Sequence, residues 1–316
     1  MKSKTMVINY VVLCIILLCG VAQAAPLPAN AGTPSGTGTN EEQVLEIKPV
    51  GLAHVALWTM DIENYAAFYR DFLGFPERTR GNKVPGAPNV YYLRDGTAES
   101  LAKEKQGKLF MVKLKIGNDG QSIELFPARA PIIDGKSMYH FAVGFEDQEP
   151  VRRALLAINA KAPAEPATKG FFTYDKNKTC TEILKSKPRE LVDAGTNSLP
   201  SVSSHLLFVE IPAENPADMK TFYVDTLNFR EAAPAAVRLD IGPYGDYVTL
   251  NTSKVQTPRI GYEVKNLEEA RAFLEKSPWR TNYKKPIEIV TTDGKRHIVL
   301  EDPEGVRVEL WERPLK

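Results

Sequence analysis

The feature that most constrains this chain is that it repeats itself. Residues 67–75 read AFYRDFLGF and residues 221–229 read TFYVDTLNF, sharing Phe68/Phe222, Tyr69/Tyr223, Asp71/Asp225, Leu73/Leu227 and Phe75/Phe229. Each stretch follows a short apolar strand pattern containing a histidine, Gly51 to Trp58 and Ser203 to Ile211. Self-similarity at this distance predicts a duplicated domain. A finer repeat lies inside each copy. His54 stands seven residues before Asp61, which opens the helical pattern Ile62, Tyr65, Phe68, Tyr69, Phe72. His140 stands seven before Asp147, ahead of a helix anchored by Leu155, Leu156 and Ile158. Arg259 stands seven before Asn266, which makes a capping box with Glu269. The remaining copy, His205 to Asn215, carries three extra residues, and Pro216 suits the first helical turn.

Strand patterns follow each helix. In the first copy Phe110 to Ile116 and Ser122 to Phe126 flank Asn118-Asp119-Gly120, a hairpin signal. The other copies end in similar strands around Glu182, Thr249 and Glu309. The expected architecture is α+β: four β-α-β-β-β modules with sheets inside and amphipathic helices outside, forming two half-open barrels.

The N-terminus reads as an export signal, residues 1–24. Lys2 and Lys4 precede an apolar run from Val11 to Val21, and Ala22-Gln23-Ala24 gives a small-x-small cleavage pattern. The run is short for a membrane span. A free mature protein, secreted or periplasmic and off the membrane once cleaved, is therefore expected. Residues 25–48, rich in Pro, Gly, Thr and Asn, read as a flexible tether. Two folded halves are expected at 49–188 and 203–316, joined by a linker at 189–202. Losing Lys2 and Lys4 takes the formal charge from +1 to −1, and no basic stripe argues for nucleic acid as a partner. Of three cysteines only Cys180 lies beyond the signal, so no internal disulfide is expected.

The module ends carry the chemistry. His54 lies on the first strand pattern of module one and Glu124 on its last; His140 and Glu182 take the matching places in module two. Alternation sets Ala53, Val55 and Leu57 on one face and His54 on the other, with Ile123 and Leu125 flanking Glu124 in the same way. Small Ala142 and Gly144 leave room beside His140. If paired modules close around them, two imidazoles and two carboxylates suit one Zn²⁺, Ni²⁺, Fe²⁺ or Mn²⁺. A cation also relieves the cost of burying two carboxylates together. In the second half the equivalent places are read as His205, Thr249, Arg259 and Glu309, where an Arg259–Glu309 ion pair replaces the metal. His297 lies off the pattern and reads as structural or surface.

The stretches GLAHVALWTMDIENYAAFYRDFLGF, QSIELFPA, MYHFAVGFEDQ and LEDPEGVRVELWE resemble the vicinal oxygen chelate superfamily, the glyoxalase, bleomycin-resistance protein and extradiol dioxygenase group. The resemblance runs from about residue 50 onward. It implies tandem glyoxalase-like domains, the first holding one divalent metal on His54, Glu124, His140 and Glu182. It implies a small oxygen-rich substrate whose neighbouring oxygens chelate the metal, and a carboxylate, Glu124 or Glu182, able to act as general base. The two-His, two-Glu set matches the glyoxalase-like lyases and isomerases best. An extradiol-type ring-cleaving dioxygenase with Fe²⁺ is the alternative, although such enzymes usually keep the metal in the C-terminal half. A non-catalytic binding or resistance protein is the third reading. Trp58, on the strand face of His54, is either a pocket residue or core filler. Residues 76–109 read as a long irregular stretch able to form a lid.

Overall fold

Every module begins with a strand that must enter the sheet beside its counterpart from the neighbouring module, and this pairing builds the molecule. The computed structural model describes residues 46–117, 120–132, 137–187, 203–232, 238–252 and 258–312. The expected export signal, all but the last three residues of the tether, and the linker lie outside them. The first half contributes β1 (Pro49–Thr59), β2 (Glu77–Lys83), β3 (Val90–Tyr92), β4 (Lys108–Lys115), β5 (Ser122–Pro127), β6 (Met138–Phe145), β7 (Phe171–Tyr174) and β8 (Cys180–Lys185). They form one eight-stranded sheet in the order β3-β2-β4-β5-β1-β6-β8-β7. The second half contributes β9 (His205–Pro212), β10 (Arg230–Glu231), β11 (Arg238–Ile241), β12 (Asp246–Asn251), β13 (Arg259–Val264), β14 (Ile289–Thr292), β15 (Lys295–Glu301) and β16 (Arg307–Glu312). Their order is β10-β11-β12-β9-β13-β16-β15-β14. At each centre two module-opening strands run antiparallel, β1 with β6 and β9 with β13, while each lies parallel to the last strand of its own module. The fold is α+β, with open sheets rather than closed barrels.

Three modules have three sheet strands or more after the helix. Among the described residues the second has two, β7 and β8, and residues 158–170 reach them without a strand. Residues 76–109 are not an irregular lid. They form β2, β3 and α2 (Ala98–Glu104) at one sheet edge, where Asn82 Nδ2 donates to the carbonyls of Lys103 and Glu104 at 3.2 and 3.0 Å.

The repeated nonapeptide has a physical meaning. Helix α1 (Ile62–Ala67) is capped by Asp61, which accepts from the Asn64 amide. It widens into a π turn over Phe68–Phe72, with Leu73 N donating to Phe68 O at 3.1 Å. The chain leaves through Gly74 at φ 73°, and Phe75 N closes on Tyr69 O at 2.9 Å. The third module does the same after α4 (Pro216–Lys220): a π turn over Thr221–Thr226, Asn228 at φ 59°, and Phe229 N on Tyr223 O at 2.9 Å. Gly and Asn are the residues that enter the left-handed region most cheaply, and the bond six residues back satisfies a helix-end carbonyl. The shared aromatic positions are buried anchors: Phe68, Tyr69 and Phe75 in one copy, Phe222, Tyr223 and Phe229 in the other. Together with Val55, Leu57, Ile123, Leu125, Phe141 and Val143 they belong to one continuous apolar core. The outer helices of modules two and four are α3 (Glu149–Ala157) and α5 (Leu267–Lys276); α5 is capped by Asn266, which accepts from Glu269 N at 3.0 Å.

The two halves clasp each other reciprocally. Tyr65 and Tyr69 of the first half donate to Asp302 Oδ2 of the second at 2.5 and 2.8 Å, while Tyr223 of the second donates to Asp175 Oδ2 of the first at 2.9 Å. At the start of the central strands, Leu206 N donates to Gln121 Oε1 at 2.5 Å and Leu52 N donates to Asp246 Oδ2 at 2.6 Å. Burial pushes the Asp302 carboxyl up to about 7, against the hydrogen bonds from Tyr65 and Tyr69 that pull it down. Its folded value lies above the unfolded value of about 4. The folded state therefore holds the proton longer, and this group lowers stability as pH rises from about 4 through about 7. Asp302→Asn is expected to flatten that part of the stability-versus-pH curve, measured by denaturant midpoints. An unchanged slope would show that Asp302 ionises freely in the fold.

Candidate metal centre

The central strand pairing of the first sheet brings its polar side chains together. Ala142 on β6 lies opposite His54 on β1, and opposite Glu182 on β8. His54 Nε2 lies 2.9 Å from His140 Nε2 and 3.1 Å from Glu182 Oε2, and His140 Nε2 lies 3.3 Å from the same oxygen. Both imidazoles are buried, and Glu182 is half-buried. Three donors converge on one point, with two ring nitrogens facing each other. Such nitrogens need a proton or a cation between them. A cation about 2.1 Å from each of two donors sets them about 3.0 Å apart at a right angle and about 3.4 Å apart in a tetrahedron. The observed separations of 2.9, 3.1 and 3.3 Å lie within about 0.1 Å of that range, so the donor set fits one divalent metal. Among the described residues, His54, His140 and Glu182 form the one group of this kind.

Glu124 stands beside this group rather than within it. Its Oε2 is 4.0 Å from His54 Nε2, and its Oε1 accepts from Lys113 Nζ at 2.6 Å. Burial alone would raise its carboxyl, but the charges of His54 and Lys113 bring it below the usual carboxylate range. Burial acts in the same sense on Glu182, yet hydrogen bonds from His140 and His54 bring that carboxyl down to about 2. Burial also lowers His140, partly offset by the Glu182 hydrogen bond, which favours the neutral imidazole that metals bind. His140 Nδ1 has no hydrogen-bond partner among the described residues. Ring packing fixes its plane instead, edge-on to Tyr139 at 4.6 Å and to Phe172 at 5.2 Å. The cluster extends outward: Trp58 packs on Tyr139 at 4.4 Å and on Phe126 at 5.9 Å. Trp58 is half-buried and lines a cavity of 550 Å³ with Tyr139 and residues 128–132, so it is more than core filler. Gly144 faces Ser186 rather than the donors, whereas Gly170 packs on the site: a Cβ there would meet Leu184 Cδ2 first and would lie 2.8 Å from Glu182 Oε1.

The second sheet repeats this register with different chemistry. Gly261 lies opposite Phe208 and opposite Glu309, as Ala142 lies opposite His54 and Glu182. The counterpart of His54 is therefore Phe208, not His205. His205 sits three residues earlier, bonded through Nε2 to Asp246 Oδ1 at 2.5 Å. The three extra residues before Asn215 cause this shift. Counting seven back from Asn215, as from Asp61, gives Phe208 and was the available signal. Arg259 makes a forked pair with Glu309, Nε to Oε1 at 2.9 Å and Nη2 to Oε2 at 3.0 Å, and its Nη1 reaches Glu210 Oε2 at 2.9 Å. Glu210, which the motif reading did not single out, is a second buried carboxylate of this cluster. Thr249 contacts it at 3.5 Å. His297 is buried and stacks on Trp311 at 4.2 Å, a structural place.

Two paired modules with metal-type donors on the central strands define a class of fold, and the comparisons place it. Residues 51–171 match the model of the Glyoxalase/Bleomycin resistance protein/Dioxygenase superfamily. Among solved structures, the Mn(II)-bound glyoxalase from Novosphingobium aromaticivorans is similar at 14% identity over 84% of this chain and 82% of that one, with a TM-score of 0.58. The 2,3-dioxygenase LapB from Pseudomonas sp. KL28 is similar at 13% identity over 85% and 94%, TM-score 0.55. The 2,2',3-trihydroxybiphenyl 1,2-dioxygenase from Sphingomonas wittichii strain RW1 is similar at 14% identity over 84% and 91%, TM-score 0.54. At these identities the likeness is one of fold. A search of curated protein sequences finds no match.

Two substitutions test the two clusters. Gly170→Ala is expected to push the Glu182 carboxylate aside and weaken divalent metal binding about tenfold, read by calorimetric titration. Arg259→Ala removes the forked pair from Glu309, which keeps Arg307 and Trp311, and one donor from Glu210, which keeps Asn251, and is expected to cost about 2 kcal/mol in chemical denaturation.

Proposed function

We propose that this chain is a metal-dependent lyase or isomerase that binds a small oxygen-rich substrate at one divalent ion held by His54, His140 and Glu182. The observation that carries this reading is the meeting of those three donors, with a fourth, ionised group beside them. When bound, the metal supplies a Lewis acid for neighbouring substrate oxygens. The chain's own residues do the rest. His54 and His140 present Nε2, and Glu182 completes the set while keeping its negative charge. Glu124 has one oxygen tied to Lys113 and turns the other toward His54. From there it can take a proton from a substrate carbon next to a carbonyl. Tyr139, Phe172, Phe126 and Trp58 give the centre an aromatic flank that limits water. The export signal read in residues 1–24 makes a secreted or periplasmic setting part of the same proposal.

A second reading, a ring-cleaving dioxygenase with Fe²⁺, is favoured by one observation. Two histidines and one carboxylate are the set that non-haem iron oxygenases use, and here they stand beside an aromatic flank that suits a planar ring.

Purified protein is expected to hold one divalent ion, and His140→Ala to weaken binding at least about 100-fold. With metal present, deuterium exchange next to the carbonyl of α-hydroxyketones is expected. Glu124→Gln should slow it by about 10²-fold or more. Oxygen uptake with catechols and no such exchange would select the second reading. A protein that takes up no metal would be a binding module instead.

A further inference from the structure

We propose that Lys113 sets the coordination number of the metal centre by holding Glu124 out of it. This rests on the reading of His54, His140 and Glu182 as metal ligands. Lys113 on β4 lies directly opposite Glu124 on β5, and its ammonium bonds Oε1 at 2.6 Å. The side chains are only 27% and 14% exposed, so solvent screens the pair less than it would a surface one. Glu182 Oε2 approaches the two imidazole nitrogens to 3.1 and 3.3 Å, whereas the nearest Glu124 contact to His54 is 4.0 Å. Bringing Glu124 to a comparable separation needs a movement of only about 1 Å, the scale set by metal–ligand geometry. A strong charge-assisted hydrogen bond on the far oxygen opposes that movement.

The second sheet shows what the same place does without a carboxylate opposite it. Arg238 on β11 lies opposite Thr249 as Lys113 lies opposite Glu124. It turns to its own strand instead, donating to Asp240 Oδ1 at 2.7 Å and covering the Tyr247 ring at 3.9 Å. Both sheets carry a cation at this register position, but only the first sets it against a carboxylate next to the donors. Lys113 is thus a positioning residue. It keeps Glu124 charged, near and uncoordinated, so that two histidines and one carboxylate leave the remaining metal positions to substrate. It also decides between ligand and base for a side chain capable of either.

Cobalt(II) titration of the full chain, followed by calorimetry and visible absorption, tests this. Wild type is expected to take up one Co²⁺. Lys113→Met frees Glu124 to coordinate. It should bind Co²⁺ about tenfold more tightly, with weaker and shifted d–d bands, because a fourth ligand, the second carboxylate, raises affinity and coordination number. Lys113→Arg should keep the wild-type spectrum, and Lys113→Met combined with Glu124→Gln should restore it. Glu124→Gln alone should bind within about threefold of wild type, since an uncoordinated neighbour contributes less than a ligand. This last arm stands even if Lys113→Met fails to fold. A tenfold or larger loss in Glu124→Gln, or a Lys113→Met spectrum identical to wild type, would overturn the proposal while leaving the metal centre in place. Wild type that binds no Co²⁺ would overturn the metal reading, and this proposal with it.

Discussion

A carboxylate buried at the centre of a sheet must be matched by positive charge, and that requirement shapes both halves of this protein. Glu182 and Glu309 occupy the same register place on β8 and β16. In water each would be solvated; within the sheet each needs a cation or strong donors. The second sheet meets the demand with ion pairs to cations of its own chain. Arg259 forks onto Glu309, Arg307 and Trp311 add donors, and a spare guanidinium nitrogen reaches Glu210. The first sheet has an imidazole where the guanidinium would be, and a second imidazole where Phe208 would be. Its donors converge without a resident cation of their own, which is the arrangement that suits a metal.

The same strand crossing therefore closes an ion pair in one half and gathers metal-type donors in the other. An arginine is always charged and always present. A site closed by arginine keeps its integrity whatever the surroundings, but its side chains have no open face to offer. Two imidazoles and a carboxylate offer lone pairs to a metal that would leave positions for substrate. The reciprocal bonds between halves, Tyr69 to Asp302 and Tyr223 to Asp175, tie the two sheets together through the helices that precede the sites. The closed site of the second half thus belongs to the same packed unit that supports the first.

Local chemistry made much of this legible. Asp61, Asn215 and Asn266 each cap a helix through a side-chain oxygen. Counting seven residues back from these caps, or from Asp147, lands on a central strand position each time. That rule also gives Phe208 in the third module, although the strand's histidine stands three residues earlier, at 205. The missing third strand of module two was less legible. Residues 158–170, with Pro163, Pro166 and Gly170, lack an alternating pattern, but only the sheet shows that, among the described residues, no other segment fills the gap. Likewise residues 76–109 carry no clear period, because β2 is polar on both faces and β3 is only three residues long; pairing of β2 with β4 and of β3 with β2 holds them.

By itself the sequence determined the duplication, the module order, the capped helices and the residue types available at each module end. Those depend on short-range forces: backbone periodicity, capping and left-handed turns at Gly74 and Asn228. Which side chains meet was decided by the tertiary structure. His54, His140 and Glu182 come from strands 86 and 42 residues apart along the chain, and only the antiparallel register of β1 on β6 sets their atoms within bonding distance. Glu124 is on a fourth strand adjoining β1, and a lysine from a fifth, β4, bonds its other oxygen. Electrostatic contest between neighbours at a few ångströms is not written in spacing, and it separates the carboxylate that meets the imidazoles from the one beside them.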